Sequence, residues 1–262
     1  MGRLRLPYKL VPADEFKYGK GFSLNSLSSS EFQQFNESIL GLGDLSRRGT
    51  YTHALAAFFD LEGFTDFANQ VDSHLVIPEF LNRYLPWLFE KTAEFFTEGR
   101  DEDRVRIWGS LPFYAKFLGD GVMFLWDTEY CGGESSIRNI VNRLLALTLE
   151  YRRDFLKRIG TYVSKPPKRL RCGIARGQVV SVGSGDDFVG SCLNIASRLQ
   201  KLSTLSFAVS RRGIDLSHQS KMACFVLKKV ELRGIGRHEL VYVLQSELER
   251  LSEQEKWLFR EP

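Results

Sequence analysis

The chain has 262 residues, 43% of them hydrophobic and 26% charged, with 36 Lys and Arg against 32 Asp and Glu. This is ordinary globular composition, long enough for a full core and unlike disordered, fibrous or disulfide-rich chains. The small positive excess supports neither a nucleic-acid groove nor a membrane-surface role, and without a long apolar run neither a signal peptide nor a membrane span is expected. Cys131, Cys172, Cys192 and Cys224 show no CxxC spacing and no His partners at zinc-finger intervals, so a reducing cytoplasm is the expected setting.

Residues 1–48 read as an N-terminal extension, with a Ser-rich patch at 26–30 and an amphipathic helix over 31–40 capped by Ser30. The run YTHALAAFF (51–59) predicts a buried strand ending at Asp60, and Gly63 turns the chain into the helical pattern FTDFANQ. Apolar residues at three- and four-residue steps, including Phe80, Tyr84, Leu88 and Phe89, predict a core helix over 75–96 that Pro86 kinks. Strands are expected over 104–108 and 112–117. A Gly119-Asp120-Gly121 turn then leads into a returning strand over 122–126. A second long helix over 136–159 ends at Gly160 with basic residues near its C-terminus, as the helix dipole favours, and the basic loop SKPPKR follows it. Residues 170–176 and 178–182 read as a strand pair and 190–202 as a helix. Strands follow over 207–210, 224–232 and 239–244, and a polar surface helix over 246–258. No internal repeat and no strong linker interrupts the chain, so the division is extension 1–48, main domain 49–245 and C-terminal tail 246–262.

Two acidic residues stand at strand ends beside glycines: Asp60 in FFDLEGFT and Asp120 in KFLGDGVMF. Such carboxylates suit Mg²⁺ held partly by protein and partly by substrate phosphates, since glycine lets the phosphates approach closely. Asp-Gly in isolation is more often plain hairpin chemistry. In DDFVGSCLNIASRL, Asn194 and Arg198 are four apart, so a helix presents both on one face to the same anion. That spacing alone far more often describes a solvated helix face. Neither motif decides the function without the other.

Taken together, FFDLEGFT, AKFLGDGVMFLW, LRCGIARGQVVSVGSG, DDFVGSCLNIASRLQ and LRGIGRHELVYVL resemble, in order, the motifs of class III adenylate and guanylate cyclases. The resemblance spans residues 51–244. It implies an α+β fold of ferredoxin-like βαββαβ lineage, a central mostly antiparallel sheet flanked by helices, and a homodimer with active sites between subunits. It further implies two ions, Mn²⁺ or Mg²⁺, held by Asp60, Asp120 and the backbone carbonyl of Leu61, with the loop of Gly63, Phe64 and Thr65 cradling phosphates. From the opposing subunit, Lys116 and Asp187 would read the base, Asn194 orient the ribose and Arg198 stabilise charge on the α-phosphate. Arg233 stands where the family uses Lys against the terminal phosphates. The chain departs from the family pattern at Ser191, Cys192 and Val182 as well, where Asp, Thr and Gly are usual, yet no metal ligand is lost.

The implied reaction is attack of the substrate's own 3′-hydroxyl on its α-phosphate, releasing pyrophosphate. Removing Asp60, Asp120 or Arg198 is therefore expected to cut turnover far more than to unfold the chain. A Lys and Asp pair can meet adenine, uracil or cytosine, so hydrogen bonding leaves the base open. The stand-alone catalytic unit with its N-terminal extension resembles the pyrimidine cyclases of bacterial Pycsar anti-phage systems. This implies cyclic UMP or cyclic CMP acting on a downstream effector, with UTP the favoured substrate and Tyr51 a candidate for narrowing the base pocket. An adenylate cyclase shares every one of these residues. An inactive nucleotide-sensing or dimerisation module would be expected to have lost at least one of them, and the GG[DE]EF turn of a diguanylate cyclase is absent.

Overall fold

The structure, a computed structural model, describes residues 4–14, 17, 20–21, 23–129, 133–185, 187–217 and 225–262. It resolves into two units, residues 1–50 with 180–189, and residues 51–179 with 190–262. Residues 180–189, assigned from sequence to the main domain, group instead with the N-terminal unit.

In that first unit, β1 (Lys9–Pro12) and β2 (Ser23–Ser26) pair antiparallel. Helix α1 is only Ser29–Gln33, and its cap is Ser28, whose hydroxyl and the Glu31 carboxylate close a capping box. The expected helix over 31–40 is thus two pieces, because Asn36 starts a separate 3₁₀ turn, Glu37–Leu40. The 180–189 segment is tied in through Ser181, whose N–H donates to Thr50 O at 3.0 Å and whose hydroxyl accepts from Thr50 N at 2.9 Å.

The second unit is built on a sheet of order β11-β12-β10-β8-β3-β7-β6. Its members are β3 (Tyr51–Glu62), β6 (Tyr114–Phe117), β7 (Gly121–Asp127), β8 (Arg169–Val182), β10 (Phe207–Ser210), β11 (Phe225–Leu232) and β12 (Gly236–Leu244). Four of them, β8-β3-β7-β6, stand in the order 4-1-3-2 of a βαββαβ unit, the ferredoxin-like arrangement expected from the resemblance. All neighbouring pairs with a printed direction are antiparallel except β8 with β10. The helices joining the four strands are α3 (Ser73–Phe96), which accommodates Pro78 and Pro86, and α4 (Glu134–Glu150). A π-turn, Tyr151–Phe155, and the short α5 (Leu156–Ile159) continue α4.

Side chains alternate across a strand, and β3 divides accordingly. Leu55, Ala57, Phe59 and Leu61 join the main core with Phe80, Tyr84, Trp87, Leu144, Tyr151 and Phe155 from the helices. Ala54, Ala56, Phe58 and Asp60 take the other face. On β8, Leu170, Cys172 and Ile174 belong to the helix-packed core, so Arg171 and Gly173 share the face of Asp60.

Three expectations are corrected here. Strand β3 continues through Asp60 to Glu62, so the acid lies inside the strand rather than after it. Residues 170–182 form one continuous fourteen-residue strand instead of a pair, because Gly177 is not a turn residue. The tail forms two short helices, α7 (Gln245–Leu248) and α8 (Glu253–Lys256), rather than one. Four short strands went unread, namely β1 and β2 of the first unit, β4 (Thr97–Arg100) and β9 (Asp187–Val189), while β5 (Val105–Ile107) is shorter than expected. Cys224, read as a strand start, and Cys131 lie outside the described residues.

Candidate active site

The register Asp60↔Gly121 between β3 and β7 brings Asp120 within one residue step of the partner of Asp60, so both carboxylates gather at one end of one strand pair. Asp120 sits in a two-residue hairpin loop closed by Leu118 N–H on Gly121 O at 2.8 Å. Gly119 takes φ +96° at its first position, which favours glycine. Asp60 is 3% exposed, and a carboxylate so buried needs a counter-charge. Arg171 provides it: its Nε donates to Oδ2 at 3.0 Å and its Nη2 bonds the same oxygen. Lys201 Nζ lies 3.5 Å from the other oxygen, Oδ1.

Helix α6 (Ser191–Leu199) packs over β3 and β10 and is seated by glycines of β8. A Cβ on Gly173 would lie 2.2 Å from Ala196 O and 2.3 Å from Gln200 N, and one on Gly177 would lie 3.1 Å from Cys192 Cβ. The helix therefore runs antiparallel to β8, and its C-terminal end arrives over Arg171 and Asp60. Cys192, Leu193, Ile195, Ala196 and Leu199 are buried while Asn194, Arg198 and Lys201 are exposed. At i, i+4 and i+7 these three form one open stripe. Burial raises the Cys192 thiol above its ordinary pKa, so it packs as an apolar group where the family carries Thr.

Gly63 caps the short helix α2 (Phe64–Ala68). The first-turn N–H groups of Phe64 and Thr65 have no acceptor within the helix. A cavity of about 880 Å³ opens beside this loop, lined among others by Glu62, Gly63, Asp66, Lys165 and Lys168. Lys116 pairs with Met123 on β7, and Met123 with Phe58 on β3, which puts Lys116 on the sheet face of Asp60. Arg233 is exposed in the tight β11–β12 turn, where Ile235 N–H bonds Leu232 O at 2.9 Å. Asp187 opens β9 in the first unit and accepts from Phe188 N–H at 2.9 Å. Tyr51 starts β3, about 30 Å along the strand from Asp60, so one protomer does not bring it to the carboxylates.

Sequence reasoning missed Arg171 and Lys201, and it noted the basic loop of Lys165 and Lys168 without giving it a role. LRCGIARG was recognised as a motif, but no local signal says that its arginine faces a carboxylate 111 residues away. Among the described residues no group of three or more His, Cys, Asp and Glu could hold a metal ion. The donor set at Asp60 and Asp120 fits instead a hard divalent cation completed by substrate oxygens and water: Arg171 anchors Oδ2 of Asp60, and Oδ1 is met by the longer Lys201 contact.

No protein-family model and no curated protein matches the chain. Solved structures do. The adenylyl cyclase CyaB from P. aeruginosa is similar with a TM-score of 0.58 at 18% identity, over 76% of this chain and 96% of that one. The guanylyl cyclase Cya2 gives a TM-score of 0.56 at 18% identity, over 76% and 94%. The catalytic core of a rhodopsin-guanylyl cyclase with converted specificity, in complex with ATPαS, gives 0.52 at 16% identity, over 74% and 97%. The chain therefore has the class III cyclase catalytic-domain fold, a mixed α+β fold around a mostly antiparallel sheet. Among the described residues no helix is long and apolar enough to cross a membrane.

Proposed function

We propose that this chain is a nucleotidyl cyclase that converts a nucleoside triphosphate to its 3′,5′-cyclic monophosphate and pyrophosphate. The observation that carries the reading is the gathering of Asp60 and Asp120 at one end of the β3–β7 pair, in a fold shared with adenylyl and guanylyl cyclases. Two divalent cations, Mn²⁺ or Mg²⁺, would be held by Asp60, Asp120 and the Leu61 carbonyl and would supply charge neutralisation and a lowered hydroxyl pKa. The remaining roles fall to the chain's own groups. N–H groups of Phe64 and Thr65 receive the phosphates. In a homodimer, the exposed Asn194 and Arg198 of α6 in one subunit serve the carboxylates of the other. Asn194 there orients the ribose, and Arg198 stabilises charge developing on the α-phosphate. Lys116 and Asp187 read the base, and Arg233 at its hairpin tip meets the terminal phosphates.

The finer part of the proposal is the base. The likeness to Pycsar pyrimidine cyclases supports UTP, with cyclic UMP as an anti-phage messenger to an effector, in the cytoplasm. The test is to incubate the purified protein with ATP, GTP, CTP and UTP separately in Mn²⁺ and identify products by mass spectrometry. Cyclic UMP as the main product is expected. Cyclic AMP alone would replace the pyrimidine by adenine and keep the cyclase. No cyclic product from a folded dimer would remove the cyclase reading altogether.

A further inference from the structure

We infer that Lys201 is a resident counter-cation of Asp60, the group that an incoming divalent ion has to displace, so that it sets how tightly this site takes metal. The inference rests on the reading of Asp60 as a metal carboxylate and goes beyond it, because nothing in that reading involves Lys201.

The two cations on Asp60 are unequal. Arg171 is 17% exposed and bonds Oδ2 through two nitrogens, a fixed fork that also orients the carboxylate. Lys201 is 57% exposed and stands 3.5 Å from Oδ1, within ion-pair range but longer than a direct hydrogen bond. Its ammonium ends a flexible stem rooted just past the C-terminus of α6, with solvent available once it lets go. Arg171 can therefore remain when a cation arrives, whereas Lys201 cannot: a divalent ion at Oδ1 and an ammonium within 4 Å of the same oxygen repel one another. Moving the lysine is cheap because its ammonium is largely solvated and its contact is long, and because the buried carboxylate keeps Arg171 as counter-charge. Its effect is a modest competition, strongest when metal is scarce. The tight seating of α6 on Gly173 fixes the root of Lys201 over the carboxylate, which makes the contact a property of the fold.

The test is a Mn²⁺ titration of the full chain without nucleotide, read by loss of the free-ion EPR signal, on wild type, Lys201→Met, Lys201→Arg and Asp120→Asn, each checked for folding by thermal melt. Lys201→Met removes the charge from an exposed position while keeping the apolar stem. It is expected to tighten the Mn²⁺ dissociation constant by roughly two- to fivefold, the scale of a long contact whose ammonium is screened by solvent. Lys201→Arg should stay within about twofold of wild type for the same reason, and Asp120→Asn should weaken binding. Equal or weaker binding by Lys201→Met, with Asp120→Asn still impaired, overturns the inference and leaves the cyclase reading standing. Binding that Asp120→Asn does not alter, or none at all, overturns the metal assignment and the inference with it.

Discussion

Asp60 and Asp120 look equivalent as sequence motifs but differ in what they hold together. Asp60 is buried against Arg171, and deleting one partner of a buried pair leaves the other charge uncompensated. Beside the expected loss of turnover, Asp60→Ala should destabilise the fold by about 3 kcal/mol, the low end for such pairs because Arg171 keeps some solvent. Asp120 lies in a half-exposed loop. Asp120→Asn should change stability by less than about 0.5 kcal/mol while reducing turnover by roughly two to three orders of magnitude. Urea unfolding beside a cyclase assay checks both; equal destabilisation by the two variants would mean that the Asp60–Arg171 pair carries no structural weight. Arg198 is exposed, so Arg198→Ala likewise belongs with the changes that spare the fold.

The position of α6 depends on glycines whose role a linear reading misassigned. Gly177 looked like a turn between two strands, yet β8 runs straight through it, and what it provides is room for the start of α6. Gly173 does the same at the other end, more tightly, because the atoms a Cβ would strike are backbone O and N rather than a side chain. Gly173→Ala should therefore cost about 2–3 kcal/mol and lift the C-terminal end of α6 from Asp60, and Gly177→Ala should cost less. Chemical denaturation of the two variants gives the ranking, and the reverse order would refute this account of helix seating. Elements with strong periodicity, such as α3 and β7, were legible to within a few residues. The short ones, β4 and β9, were not, since three or four residues carry too little pattern to stand out from a loop.

For the molecule as a whole, the proposed assembly makes a prediction that a monomeric site does not. If Asp120 of one subunit works with Arg198 of the other, Asp120→Asn and Arg198→Ala are each inactive alone. Mixing equal amounts with subunit exchange should then restore about a quarter of wild-type activity, since half the dimers are mixed and each has one intact site of two. No recovery after verified exchange would place the residues in one subunit's site. The resemblance of the five motifs in order implied the βαββαβ frame, and spacing alone put Asn194 and Arg198 on one face of α6, because that spacing depends on residues close in the chain. The counter-charges on Asp60, the seating of α6 on β8, and the grouping of residues 180–189 with the N-terminal unit emerged only on folding. All three join segments far apart in sequence, and a strand's alternation says which residues share a face without saying what will be packed against it.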